Sequence, residues 1–189
     1  LPVEDIRVER CVCWCSWGGT LETGLETWAS AWKGVVFEDC DLIHNSMAAL
    51  RLHLGGPCKV ENTTYRNIRI EYDRSETPPV VQCGRETKYD RTEPWSGNAI
   101  VVENGKMYDP ESMYARNQGQ AFVDRIAAEP YGSFRRLTFD GISIFVGEGA
   151  AKPSVGVHLG GGVAPGEIVS RNVVMKLADG TTVPLKIGK

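Results

Sequence analysis

The sequence lacks most of the features that place a chain quickly. It has no strong charge of one sign: 21 Lys and Arg stand against 24 Asp and Glu, a formal net charge of −3 over 189 residues. That balance gives no electrostatic case for nucleic acid or an anionic membrane as partner. No apolar run reaches the length of a membrane span, and Leu1 to Arg10 have neither the basic start nor the apolar centre of a signal peptide. None of the six cysteines is spaced as CxxC, so no zinc ribbon is expected. Cys11, Cys13 and Cys15 alternate along one segment, and buried thiols are the better reading than three disulfides. Helical periodicity is scarce, and Gly160-Gly161-Gly162 lacks the strand-to-helix setting of a phosphate loop. No cofactor and no metal are expected.

What is present is a repeat. One short phrase of alternating apolar and mostly polar residues is written five times: Asp5-Ile6-Arg7-Val8-Glu9, Gly34-Val35-Val36-Phe37-Glu38, Asn67-Ile68-Arg69-Ile70-Glu71, Arg136-Leu137-Thr138-Phe139-Asp140 and Asn172-Val173-Val174-Met175-Lys176. That period belongs to half-buried strands. A second strand phrase follows each of the first four, centred on Leu21, Leu50, Ile100 and Val155. Fifteen residues separate Ile6 from Leu21 and Val35 from Leu50, eighteen separate Leu137 from Val155, and thirty-two separate Ile68 from Ile100. Units this short cannot bury their apolar faces alone and must stack. The expectation is an all-β fold, a right-handed parallel β-helix (solenoid) of about four to five coils, forming a single domain over 1–189. A β-sandwich of short strands is the alternative. Two insertions, about 74–98 and 104–134, interrupt the coils and are read as loops over one face, with a short helix expected between Pro110 and Ala128.

If the phrases stack in register, Ile6, Val35, Ile68, Leu137 and Val173 form one internal column, and Leu21, Leu50, Ile100 and Val155 form another. Glu22, Arg51, Val101 and Gly156 then make one outward column, and Gly24, His53, Glu103 and His158 the next. Glu22, Glu103 and His53 are the candidates for proton transfer, and Arg51, His158, Glu26, Trp17 and Trp95 those for substrate binding. Arginine matches the carboxylates of acidic sugars, and tryptophan offers a stacking surface. Glycoside cleavage needs two carboxyl groups about 5 to 9.5 Å apart. Glu22 and Glu26 share a strand face but are separated by about 13 Å of backbone, so they are read as lining a groove. His44 is read as a turn histidine, and Asp39, Asp41 and Asp73 as residues stabilising bends.

The phrases Ile6-Arg7-Val8-Glu9-Arg10-Cys11, Gly18-Gly19-Thr20-Leu21-Glu22-Thr23-Gly24, Val36-Phe37-Glu38-Asp39-Cys40 and Arg51-Leu52-His53, with Trp17 to Thr27 ahead of Cys40-Asp41-Leu42-Ile43-His44, resemble the later coils of polygalacturonase-like glycoside hydrolases of the pectin lyase-like β-helix superfamily. The resemblance is strongest over Val3 to Asp73. Gly18-Gly19-Thr20 stands where that family has Gly-His-Gly, and Arg51-Leu52-His53 where it has Arg-Ile-Lys. The arginine matches; the histidine and lysine do not. The resemblance implies that the family's catalytic aspartate pair would lie one coil before Leu1, the chain being the C-terminal part of a longer β-helix. It further implies polysaccharide degradation, a polysaccharide or oligosaccharide partner, acidic or neutral, and a secreted or extracytoplasmic setting. A non-catalytic carbohydrate-binding or tailspike-like β-helix and a pectate-lyase-like lyase remain alternatives, and exposed coil ends allow self-association.

Overall fold

The computed structural model describes residues 1–15, 19–23, 27, 29–73, 81–82, 89–91, 97–104, 116–128, 132–150, 153–160 and 163–185, with the side chains of 81–82, 89–91, 155–158, 160 and 165 left aside. Strands predominate, and three parallel sheets carry the repeat. The first contains Val3–Glu4, Trp32–Lys33, Lys59–Glu61 and Ser133–Arg135 in that spatial order. The second is built on Arg7–Glu9, Val36–Glu38, Thr64–Tyr72 and Leu137–Val146, with Val12–Trp14 and Asp41–Ile43 running beside them and Ile168–Arg171 and Val174–Leu177 beyond. The third contains Leu21–Thr23, Leu50–Leu54, Asn98–Asn104 and Ser154–Gly160. Every pairing within these sheets from one repeat to the next is parallel. Among the described residues two pairs are antiparallel: Val81–Gln82 with Tyr89–Arg91, apart from these sheets, and Val174–Leu177 with Thr182–Pro184 at the end of the second sheet. The helix Gln120–Ala128 lies between the third-sheet strand Asn98–Asn104 and the first-sheet strand Ser133–Arg135.

Two sets of left-handed residues turn the chain between strands. Asp5, Gly34, Asn62 and Arg136 have positive φ where the first sheet passes into the second; Arg10, Asp39, Asn67 and Gly141 have it five residues later, and Asn172 has it at the position equivalent to Gly141. Asp and Asn tolerate this conformation because their short side chains bond locally, and Gly meets no Cβ clash. A Cβ on Gly34 would also sit 2.8 Å from Oδ1 of Asp5, the equivalent residue one repeat back. Side chains tie the bends together, as where Asn67 Nδ2 donates to Asp39 Oδ1 at 2.5 Å.

The inward faces of the three sheets share one apolar core. Leu50, Leu52 and Leu54 of the third sheet, Val60 of the first and Leu42, Ile68, Ile70, Leu137, Ile142 and Ile144 of the second are completely buried within it. Full burial of such side chains contributes about 1.5–3 kcal/mol each. Phe37, Tyr65 and Phe139, in register on three adjacent strands, stack with centroids 4.9 and 5.3 Å apart and planes within 9° and 11° of parallel. The five described cysteines are unbridged thiols, with Cys40 and Cys58 buried and Cys11, Cys13 and Cys15 partly so. Burial raises the thiol pKa of Cys13, Cys40 and Cys58.

Two expected registers are corrected. Thr64 pairs with Val36 and with Thr138, which aligns Val35 and Leu137 with Thr63 rather than Ile68. Ile68 pairs with Ile142, and Leu137 with Ile168, so Val173 leaves the Leu137 column as well. The phrase around Ile68 lies beyond the second left-handed bend instead of the first. Ile6 does align with Val35, but at the outermost strand of the sheet it is 42% exposed. In the third sheet Leu21, Leu50 and Ile100 align, but Ile100 pairs with Val157, not Val155, after an irregularity between Asn98 and Ile100.

Candidate functional site

Alternation along Leu50–Leu54 sends Leu50, Leu52 and Leu54 into the core and leaves Arg51 and His53 on the opposite face. Register then selects their neighbours. Glu22, Arg51 and Val101 lie side by side on three strands, and His53 lies beside Glu103. His158 pairs with Val101, so its backbone belongs to the Arg51 column instead of the His53 column; one residue of that shift is already present at Asn98 and Ser154, and the irregularity before Ile100 adds the other. Trp17, Glu26 and Trp95, together with Gly24 of the expected outward column, lie outside the described residues.

The four described polar residues form a continuous chain. Arg51 Nη1 is 3.6 Å from Glu22 Oε1, Arg51 Nη2 is 3.1 Å from His53 Nδ1, and His53 Nδ1 is 3.6 Å from Glu103 Oε2. Their side chains are half-buried, with exposures of 26% for Glu22, 27% for Arg51, 15% for His53 and 35% for Glu103. Gly19 closes over one end: a Cβ there would meet Glu22 Oε2 at 2.9 Å and Arg51 Cβ at 3.1 Å. The glycine therefore permits a close backbone approach to the Glu22–Arg51 pair.

A guanidinium can only donate, so the contact to His53 Nδ1 requires that nitrogen to accept. His53 is then the neutral tautomer carrying its proton on Nε2. Its pKa is lowered, chiefly by burial and further by the Arg51 charge, while Glu103 and Glu22 pull it upward. The arrangement offers a fixed cation, a neutral imidazole and two carboxylates across three strands. Two strand spacings and two residues of rise put the Glu22 and Glu103 backbones about 12 Å apart.

The outer face of the second sheet holds polar groups that sequence reasoning had assigned to turns. Asp39 does sit at a left-handed bend, but Asp41 lies on a strand and accepts two bonds from Arg69, one from Nε and one from Nη2 at 2.7 Å. With Glu71 and Phe145 these residues line a groove of about 210 Å³. Glu38, nearly buried, is held by Arg7 and by Arg66 Nη1 at 3.5 Å. Asn45, 3% exposed, donates through Nδ2 to the carbonyls of Leu42 and Glu71 at 2.6 and 2.9 Å and accepts from Thr20 Oγ1. The signal for Asp41 and Arg69 was their shared outward parity on adjacent repeats, hidden by the register error at Ile68.

Comparison with protein families, with curated proteins and with solved structures gives no match to this chain.

Proposed function

We propose that this chain is a right-handed parallel β-helix of the polygalacturonase-like, polysaccharide-degrading type, and that its sugar-binding face is the outer face of the third sheet. The observation that carries the reading is the row of Glu22, Arg51, His53 and Glu103 on one face of three neighbouring strands, each within 3.6 Å of the next. A linear polysaccharide lying along the stacking direction would cross those strands in turn. Arg51 supplies the cation for a sugar carboxylate, and His53 supplies an Nε2–H donor for a hydroxyl. Glu22 and Glu103 are the carboxyl groups available within the chain for acid and base work. Backbones about 12 Å apart leave room for the wider spacing of the inverting arrangement, in which a water fits between the base and the sugar.

The test is incubation with polygalacturonate, with its oligomers and with neutral plant polysaccharides, following both reducing ends and unsaturated products. New reducing ends without unsaturation, diminished in E22Q and in E103Q, support hydrolysis. Calcium-dependent unsaturated ends assign a lyase instead. Saccharide binding measured calorimetrically without any product assigns a binding module, and the absence of both binding and turnover ends the saccharide reading.

A further inference from the structure

A second cluster lies away from the third sheet. His44 directly follows the strand Asp41–Ile43, and Asp73 directly follows Thr64–Tyr72, whose penultimate residue is Glu71. The two strands are paired in parallel, Asp41 with Arg69 and Leu42 with Ile70, so their ends come together on one edge. His44 Nδ1 lies 2.6 Å from Asp73 Oδ2, and one ligating atom from each of His44, Glu71 and Asp73 falls within 4.8 Å of the others.

We propose that His44, Glu71 and Asp73 form a binding site for one divalent transition-metal ion of the zinc class. One imidazole nitrogen with two carboxylate oxygens suits Zn²⁺ and its neighbours, whereas Ca²⁺ takes six to eight oxygens and no imidazole. Bonds of about 2.0–2.2 Å place tetrahedral ligand atoms about 3.3 Å apart, so Glu71 closes onto the ion by side-chain rotation and the His44–Asp73 pair opens slightly to admit it.

The backbone around the cluster is already fixed. Asn45 bridges the carbonyls of Leu42 and Glu71 from a buried position, and its own N–H donates to Glu71 O at 3.1 Å. His44 is further held in a left-handed conformation with φ of 53°. The Trp14 ring lies 5.0 Å from the imidazole, giving one side an apolar wall that orients the ring and limits water. Two ligands thus arise from one repeat and one from the preceding repeat, so an ion would cross-link neighbouring strands of the second sheet. This assignment is independent of the saccharide reading, whose residues belong to the third sheet.

The test uses the whole chain, stripped with a chelator and titrated with Zn²⁺ by calorimetry and with Co²⁺ by absorption. One ion per chain is expected, with affinity reduced at least tenfold in H44A and in E71Q, and no competition from Ca²⁺. Co²⁺ should give weak visible bands without the intense sulfur-to-cobalt charge transfer that Cys11, Cys13 or Cys15 would produce. Because Glu71 is exposed, E71Q keeps the fold, which its unchanged circular dichroism verifies. Absence of Zn²⁺ and Co²⁺ binding, equal affinity in both variants, or a thiolate charge-transfer band each overturns the site.

Discussion

Arg51 Nη2 lies 3.1 Å from His53 Nδ1, while Glu103 Oε2 lies 3.6 Å from the same nitrogen. The two neighbours want opposite things of it. Arginine needs a lone pair there and the carboxylate a proton, so the protonation of His53 decides which partner it keeps. Burial, together with the arginine, holds the imidazole neutral.

The first prediction follows from those opposing charges. Replacing Arg51 by Met removes a nearby cation and should raise the His53 pKa, while E103Q and E22Q remove carboxylates and should each lower it. Side-chain NMR titration of His53 in the wild type and the three variants measures the signs. An unchanged value in all three variants would show that burial alone sets it.

Stability should carry the same signature. Because the folded pKa is depressed below the ordinary value of about 6.5, the unfolded chain takes up its proton first as pH falls, and stability drops between that value and the lower folded pKa. Above that window both states are neutral at this site and nothing is gained or lost. Thermal melts of the wild type and His53→Gln across pH 7.5 to 5 should therefore diverge on the acid side, the variant having the shallower slope. Parallel curves would remove His53 from the acid response.

The internal aromatic stack gives a prediction about the fold. Phe139 lies against Tyr65, is fully buried and packs among rigid strands that have little freedom to close a void. Truncation of Phe139 to Ala should cost about 3–5 kcal/mol, read as a shift in denaturant midpoint with unchanged slope. A loss below about 1 kcal/mol would mean that the strands collapse around the missing ring.

Strand identity was largely legible because alternation is a local signal: Arg51 and His53 can be placed on one outer face from Leu50, Leu52 and Leu54 alone. Register in the second sheet was not. Two bends five residues apart leave the phrases Asn62 to Arg66 and Asn67 to Glu71 both beginning at a left-handed asparagine, and the apolar pattern favours the second. The true partner of Val35 is Thr63, a buried polar residue, which an apolar-column rule passes over. His158 was misplaced by two residues for another reason: the pairing at Asn98 and Ser154 already differs by one residue from the expected register, and the irregularity before Ile100 adds one more. The His44–Glu71–Asp73 cluster depends on two strand ends meeting, and such a meeting leaves no periodic trace in a single sequence.

Asn45 joins the two strands that carry that cluster, and its loss should be costly. Its side chain satisfies two carbonyls and accepts from Thr20, all in a nearly water-free position. Asn45→Ala should destabilise the chain by about 1–3 kcal/mol by removing these side-chain bonds from a nearly dry site, although Glu71 O keeps the backbone N–H of residue 45. Asn45→Asp should also be destabilising, since a carboxylate cannot donate to either carbonyl. Denaturant titration of both variants measures this, and a neutral Asn45→Ala would imply that water replaces the side chain.

The last prediction concerns ligand choice at Arg51. Its guanidinium already contacts Glu22 and His53, with 27% of the side chain exposed, so a sugar carboxylate must compete with Glu22 for it. Competition lowers the affinity for the acidic sugar without abolishing its advantage, because a neutral sugar offers Arg51 no carboxylate at all. Arg51→Met should therefore weaken an acidic oligosaccharide by about 1.5–3 kcal/mol and leave a neutral one of equal length nearly unchanged. Glu22→Gln should act in the opposite direction, releasing Arg51 and strengthening the acidic ligand. Calorimetric titration of both oligosaccharides into wild type, R51M and E22Q supplies the comparison. Equal affinities across all three proteins would take Arg51 out of recognition and leave the Glu22–Arg51–His53–Glu103 chain as a ladder that orders the third sheet.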